Sequence, residues 1–435
     1  MLVILFVITI ILFLFIGIKK IKTFSNPLSI YLIFWGLWII ISLFNPYDLY
    51  PVSSFAYLLV WVNIFSFSIG FLVISKKKKY QINIEQNLLI IKERSLFFAE
   101  IILLIILIYY NKKYFALLSY GNIGEARRIR FELGYLFGNY TEYLLYNYFV
   151  ISTLYLTIII NILKFILDKK INASLVITIV NILLFASIGL GRFVIFDFIV
   201  FAILGVVLTK KKSKNFLFNT KRGKYKSLVK YFFLLIAGVF VMTLITSFRY
   251  GRSIQSFEDM FFWLMFSVQQ GMIYFLGPFR AFDSFLNLNP HTTYGLTVIR
   301  STFSGLEEII NNIFILAGIS INTANSIMSS FTVDSIVIGF NGQSFNAFYT
   351  GLTNFYLDGG ISYIFIIPFL FGMIVAKIWN TFNEEPNFFM IALLIFIVKT
   401  TLAYQYRWDF SSPSNWIIFA ILVIFYKVSK KRIYY

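Results

Sequence analysis

The stretch LVILFVITIILFLFIGI (residues 2–18), followed at once by KKIK (19–22), decides how the rest of the chain is read. It carries no charge and nearly reaches the ~20 residues that a helix needs to cross a ~30 Å hydrocarbon core. No basic segment precedes it and no small-residue cleavage site follows it, so it reads as a retained first span and not as a removed signal peptide. Further apolar runs lie near 28–44, 54–75, 95–111, 142–167, 172–189, 193–209, 230–247, 361–378, 388–405 and 414–427. Inside lipid a backbone must satisfy its own hydrogen bonds, so each run is expected to be a helix. The expected fold is all-α: a polytopic integral membrane helical bundle of about eleven transmembrane helices, forming a single transmembrane domain over 1–435.

The chain is 59% hydrophobic and carries a formal net charge of +19. In a soluble protein that charge would suggest nucleic acid. Here the lysines sit at the ends of apolar runs and read as positive-inside topology markers, so no nucleic-acid partner is expected. Lys19, Lys20 and Lys22 follow the first run and Lys76–Lys79 the third. Lys169 and Lys170 follow the fifth, and Lys427, Lys430 and Lys431 the last. The loop after the seventh run, about 210–229, is a plain basic loop. Eleven spans put every cluster on the cytoplasmic side, with the N-terminus outside and the C-terminus inside. The outer face then holds a loop over 112–141 and a long loop over 248–360. The second is too long for a simple connection and needs surface helices of its own. Within it, Phe261–Leu276 is apolar but contains Gln269, Gln270 and Gly271, and is expected to lie at the membrane surface.

There is no cysteine, and the one histidine is His291. Disulfides, cysteine nucleophiles and histidine-cluster metal centres are therefore excluded. No acidic group has metal-ligand spacing, so neither a metal nor a cofactor is expected. His291, after Asn289-Pro290, reads either as a general base or as an exposed loop histidine.

Arginine is distributed differently from lysine. Nine of the twelve arginines fall at or beyond the expected outer face: Arg127, Arg128, Arg130, Arg192, Arg249, Arg252, Arg280, Arg300 and Arg407. A guanidinium binds phosphate through a planar fork, so the set points to a phosphate or pyrophosphate site at the outer leaflet. The competing readings are pairing with external acids and snorkelling toward lipid headgroups. Arg192 closes the tight hairpin Gly189-Leu190-Gly191, and Asp197 lies deeper in the following run. Arg249 and Arg252 follow the eighth run. Lys399 lies inside the tenth run, where it should face a wet cavity or an acid. Polar and small residues crowd Asn346–Gly360 at the outer end of a helix, and helix N-termini attract anions and the polar groups of sugars. Asp358 reads equally as a base, an acceptor ligand or a helix cap.

The Gly189–Arg192 hairpin, the arginines after the eighth run, the long outer loop and the segment Asn346–Gly360 together resemble the Wzy-type O-antigen or capsular repeat-unit polymerases. The resemblance in topology covers nearly the whole chain. Some members carry an arginine followed by ten residues and a glycine; Arg127 and Gly138 match that spacing, whereas Arg249, Arg280 and Arg300 do not. The resemblance implies a GT-C-like, metal-independent membrane glycosyltransferase in the bacterial cytoplasmic (inner) membrane, with its active site facing outside. Such an enzyme joins polyprenyl-pyrophosphate-linked oligosaccharide units into O-antigen (lipopolysaccharide) or capsule. Its expected partners are that lipid-linked substrate, membrane lipid and a chain-length regulator protein. Arg192, Arg249, Arg252 and Asp358 are then the expected catalytic residues. Arg127, Arg128, Arg280, Arg300, Tyr356, Lys399 and Arg407 are the expected substrate-binding ones. A lipid-linked oligosaccharide flippase and an O-antigen ligase are the alternatives.

Overall fold

The computed structural model describes residues 2–77, 93–118, 126, 129, 134–188, 191–209, 240–248, 250, 255–288, 299–319, 321–332, 335–345 and 349–433. The expected basic loop over 210–229 lies outside them. Among the described residues the chain is almost wholly helical, with the long apolar helices of an all-α membrane protein. Its helices are α1 (Leu2–Ile21), α2 (Pro27–Leu43), α3 (Ser54–Ile74), α4 (Glu93–Leu118), α5 (Tyr140–Asp168), α6 (Ala173–Ser187) and α7 (Phe193–Thr209). After a helical stretch at 240–248 come α8 (Phe257–Leu286), α9 (Ser304–Leu316) and α10 (Ala324–Thr332). Then follow α11 (Gly351–Glu384), α12 (Phe388–Ala403) and α13 (Pro413–Ile433). Among the described residues the strands are β1 (Ile336–Val337) and β2 (Ser344–Phe345), paired antiparallel. Among the described residues six helices, α1, α3, α4, α5, α8 and α11, are long and apolar enough to cross a membrane; α2, α6, α7 and α12 are apolar but shorter.

Local chemistry sets several helix starts. Asn26, Ser53, Asn139, Asn172 and Asn387 each accept a hydrogen bond from the backbone N–H three residues on, at the N-termini of α2, α3, α5, α6 and α12. These side chains satisfy donors that the first helical turn leaves open. Pro27, at the first position of α2, needs no partner for a missing N–H.

The chain divides into two compact units, one of Met1–Tyr80 and Gly271–Val428, the other of Gln81–Gln270 and Ser429–Tyr435. In the first, α3 and α11 pack backbone to backbone. A Cβ on Gly70 would meet the Phe369 carbonyl oxygen at 2.0 Å, and one on Gly372 the Phe67 carbonyl oxygen at 2.3 Å. Small residues at a helix crossing allow the close approach on which membrane packing depends. Tyr31, Asn63 and Tyr404 share a buried hydrogen-bonded triangle beside this crossing, with Tyr404 donating to Tyr31 at 2.6 Å.

α8 is longer than the expected surface segment. It continues through Gln269, Gln270, Gly271 and Pro278 as one helix. Its far end builds a small core in which Ile273, Leu276 and Ala281 pack with Leu49, Ile338 and Phe345. That packing places the α2–α3 connection, the β-hairpin and the end of α8 together.

In the second unit, buried polar groups join the helices. Glu100 of α4 is fully buried and accepts from Asn161 of α5 and from Ser174 of α6 at 2.6 Å. Asn111 of α4 donates to the Leu184 carbonyl at 2.8 Å.

Candidate functional site

The site is built on a break in α11. Gly359 and Gly360 leave helical geometry, and Gly360 has φ 63° with ψ −145°, a region open essentially to glycine alone. Asp358 is the last residue before the break and is buried. Its carboxylate leaves its own helix and accepts from the backbone N–H of Ser301 at 2.7 Å and of Thr302 at 2.8 Å, and from the Thr302 hydroxyl at 2.6 Å. One turn earlier, Asn354 donates to the Ser301 carbonyl at 3.1 Å. Trp408 Nε1 donates to the Thr302 carbonyl at 2.6 Å. Three side chains from two distant segments therefore grip the 299–303 turn. The grip holds Ile299 at φ 50°, a left-handed conformation costly for a β-branched residue. Asp358 also satisfies donors just before α9, whose own N-cap position, Phe303, supplies no side-chain bond.

Arg300 projects from this turn. It donates through Nε to Glu307 Oε1 at 2.9 Å and through Nη2 to Glu307 Oε1 and the Asn322 carbonyl. Its side chain is 38% exposed. Beside the turn is a cavity of about 350 Å³ whose lining includes Ile299, Thr302, Phe303, Phe371, Trp408 and Trp416. Thr302 is the polar member of an otherwise apolar wall. The cavity lining thus includes the chain neighbours of Arg300 and of Arg407.

Arg407 and Lys399 share one acid. Asp409 accepts from Lys399 Nζ at 2.9 Å and from Arg407 Nε at 3.0 Å. Lys399 and Asp409 are buried, while Arg407 is part-exposed. Of the two environments expected for Lys399, the acid is the one beside it. Such a trio holds the buried charges by mutual pairing.

Arg280 is placed very differently. It is 4% exposed, and all five of its N–H donors are used inside the fold. Nε donates to the Tyr50 carbonyl at 2.9 Å. Nη1 donates to Ser42 Oγ at 2.6 Å and the Leu276 carbonyl at 3.1 Å, and Nη2 to the Ser42 carbonyl at 3.1 Å and Asn45 Oδ1 at 2.9 Å. One turn on, Asp283 accepts from the backbone N–H of Ser53 at 2.9 Å. A cation thus meets the C-terminus of α2 and an anion the N-terminus of α3, each complementing a helix dipole.

In the second unit, Arg192 Nη1 donates to Thr246 Oγ1 at 2.9 Å and Asp197 Oδ2 accepts from Tyr155 at 2.8 Å. Tyr356 is half-buried on α11, with its ring 6.4 Å from that of Phe285. Arg127, Arg128, Arg249, Arg252 and His291 lie outside the described residues, as does 346–348.

The structure adds residues that the sequence did not single out. Asp409 and Trp408 follow Arg407 in the chain and form no motif of their own. Glu308 gave no signal beyond an acidic pair with Glu307. It is half-buried, and its Oε2 is buried without a hydrogen-bond partner. Burial pushes the Glu308 carboxyl above the ordinary glutamate range; the Glu307 carboxylate adds to the push, and Thr323 and Asn325 oppose it. No family model matches the chain, and the searches of curated proteins and of solved structures likewise returned no match.

Proposed function

We propose that the chain is a polymerase of the Wzy type. It would transfer a growing glycan from polyprenyl pyrophosphate to the next lipid-linked oligosaccharide unit at the outer leaflet of the bacterial cytoplasmic membrane. The observation that carries the reading is the apolar cavity beside the Asp358-held turn, with part-exposed Arg300 and Arg407 adjoining its lining residues in the chain. An isoprenoid tail needs apolar walls, and a pyrophosphate needs guanidinium donors close by. Charge that develops on the leaving pyrophosphate is stabilised by preorganised donors, with no metal in the proposed step. The topology that goes with this reading is eleven spans in a GT-C-like bundle, N-terminus outside and C-terminus inside. A cysteine placed at 215 that labels from outside intact cells would overturn it.

The activity test uses the purified protein in phospholipid liposomes with a synthetic polyprenyl-pyrophosphate-linked oligosaccharide and excess EDTA. A ladder of longer glycans on a gel is expected; no new glycosidic bond defeats the proposal. Leu370→Trp, which fills the cavity, should raise KM for a long-tailed donor more than for a short-tailed one.

One observation favours a second reading, a flippase for the same lipid. The second unit buries Glu100, Asn161, Thr178 and Asp197, and such intramembrane polar residues often mark a transport path. Movement of the lipid-linked unit across liposomes without new bonds would select it.

A further inference from the structure

Glu307 and Glu308 are consecutive on α9, so they leave the helix in directions about 100° apart. The structure gives them opposite surroundings. Glu307 is committed on both oxygens. Oε1 receives Arg300 Nε and Nη2, and Oε2 receives the backbone N–H of Ala324 at 2.8 Å, at the start of α10. The Glu308 carboxyl instead takes its hydrogen bonds from the neutral side chains of Thr323 and Asn325, and its Oε2 is buried with no donor of its own. A buried carboxylate oxygen without a donor is costly, and a bound molecule bringing an O–H group would satisfy it. Asn325 in turn donates to the Ser411 carbonyl at 3.1 Å, next in the chain to cavity-lining Phe410.

Resting on the glycosyl-transfer reading, we propose that Glu308 is the group that takes the proton from the acceptor sugar hydroxyl. Asp358 is not available for this role, since its two oxygens already accept three bonds from the 301–302 backbone and hydroxyl. In the step, the acceptor oxygen forms a bond to the anomeric carbon of the donor sugar. The bond from that carbon to the pyrophosphate oxygen breaks, and its electron pair leaves on the phosphate. The hydroxyl proton passes to the Glu308 carboxylate. The half-buried site also favours the chemistry, because a carboxyl held above its usual range is a stronger base nearer neutral pH.

The test compares wild type with Glu308→Gln, Glu308→Asp and Glu307→Gln in the liposome assay, using the synthetic lipid-linked oligosaccharide across a pH series. Wild type should lose rate on the acid side with an apparent pKa above that of an ordinary glutamate. Glu308→Gln should lower kcat by about 10²–10⁴-fold, with little change in KM, and abolish that acid limb. Glu307→Gln should keep the limb. A Glu308→Gln enzyme with wild-type kcat and pH profile overturns the proposal while leaving the polymerase reading intact. A wild type that forms no glycosidic bond overturns both. Should Glu308→Gln fail to fold, Glu308→Asp decides: the acid limb is expected to move, and an unmoved limb overturns the assignment.

Discussion

Arg280 and Arg300 look alike as sequence. Each is an arginine in the long stretch between the eighth and ninth apolar runs, and each suits an outer phosphate site equally well. The fold makes them opposites. Arg280 is 4% exposed and uses every donor on carbonyls and side chains of the α2–α3 connection and its own helix. Arg300 is part-exposed, and among the described residues its Nη1 has no partner. A guanidinium with five satisfied donors has nothing left to offer an anion; one with spare donors, next in the chain to a cavity-lining residue, has. The number of outer arginines is therefore a poor guide to a phosphate site, and their unspent donors are the better one.

The largest effect that would test this contrast is on stability. Arg280→Ala strips partners from the buried Ser42 carbonyl and from the part-buried Tyr50 carbonyl and Asn45 side chain. Each orphaned group costs about 1–3 kcal/mol, so a loss of about 3 kcal/mol or more is expected in denaturant melts of the purified protein. An Arg280→Ala protein with wild-type stability and no activity would invert the comparison and make Arg280 a substrate ligand.

A smaller loss is expected for Asp358→Asn. One oxygen still accepts, but the new amide nitrogen opposes a backbone N–H of the 301–302 turn, at a cost of about 1–3 kcal/mol. Because that turn carries Arg300, KM for the lipid-linked donor should rise as well. Unchanged stability would mean that the grip on the turn is not what holds Ile299 in its strained conformation.

The smallest stability effect should come from Arg300→Ala. Its pair with Glu307 is part-exposed, and such pairs contribute about 0–1 kcal/mol. Activity should nevertheless fall by about 10²–10³-fold, the scale for removing one donor to developing negative charge. Arg300→Lys should also be impaired, since a point charge lacks the fork. Full activity in Arg300→Ala would leave Arg407 as the remaining described candidate beside the cavity.

Parts of this site were legible in the chain and parts were not. Asp358, Arg300, Lys399 and Arg407 stand out as charges in or near apolar runs. Their partners do not: Asp358 bonds to residues 56 and 57 positions away, and Arg280 to a carbonyl 230 positions away. The polar segment 351–360 reads as a lead-in to a span, yet it is the first part of α11. Its Asn354 and Asp358 can be buried there because the 299–303 turn supplies their hydrogen bonds. Likewise α8 outruns its apolar segment: Ala281, beyond that segment, joins the core with Leu49, Ile338 and Phe345.

The sequence by itself determined the membrane class, the helical architecture and most helix starts. Apolar runs and asparagine or serine caps act within a few residues, so they need no knowledge of the rest of the fold. Only the tertiary structure decided that Arg280 spends every donor inside the fold while Arg300 does not, and which of two adjacent glutamates is left with an unpaired oxygen. Hydrogen-bond partners are allotted across long chain separations, and burial, which makes an unpaired group costly, exists only once the helices have packed.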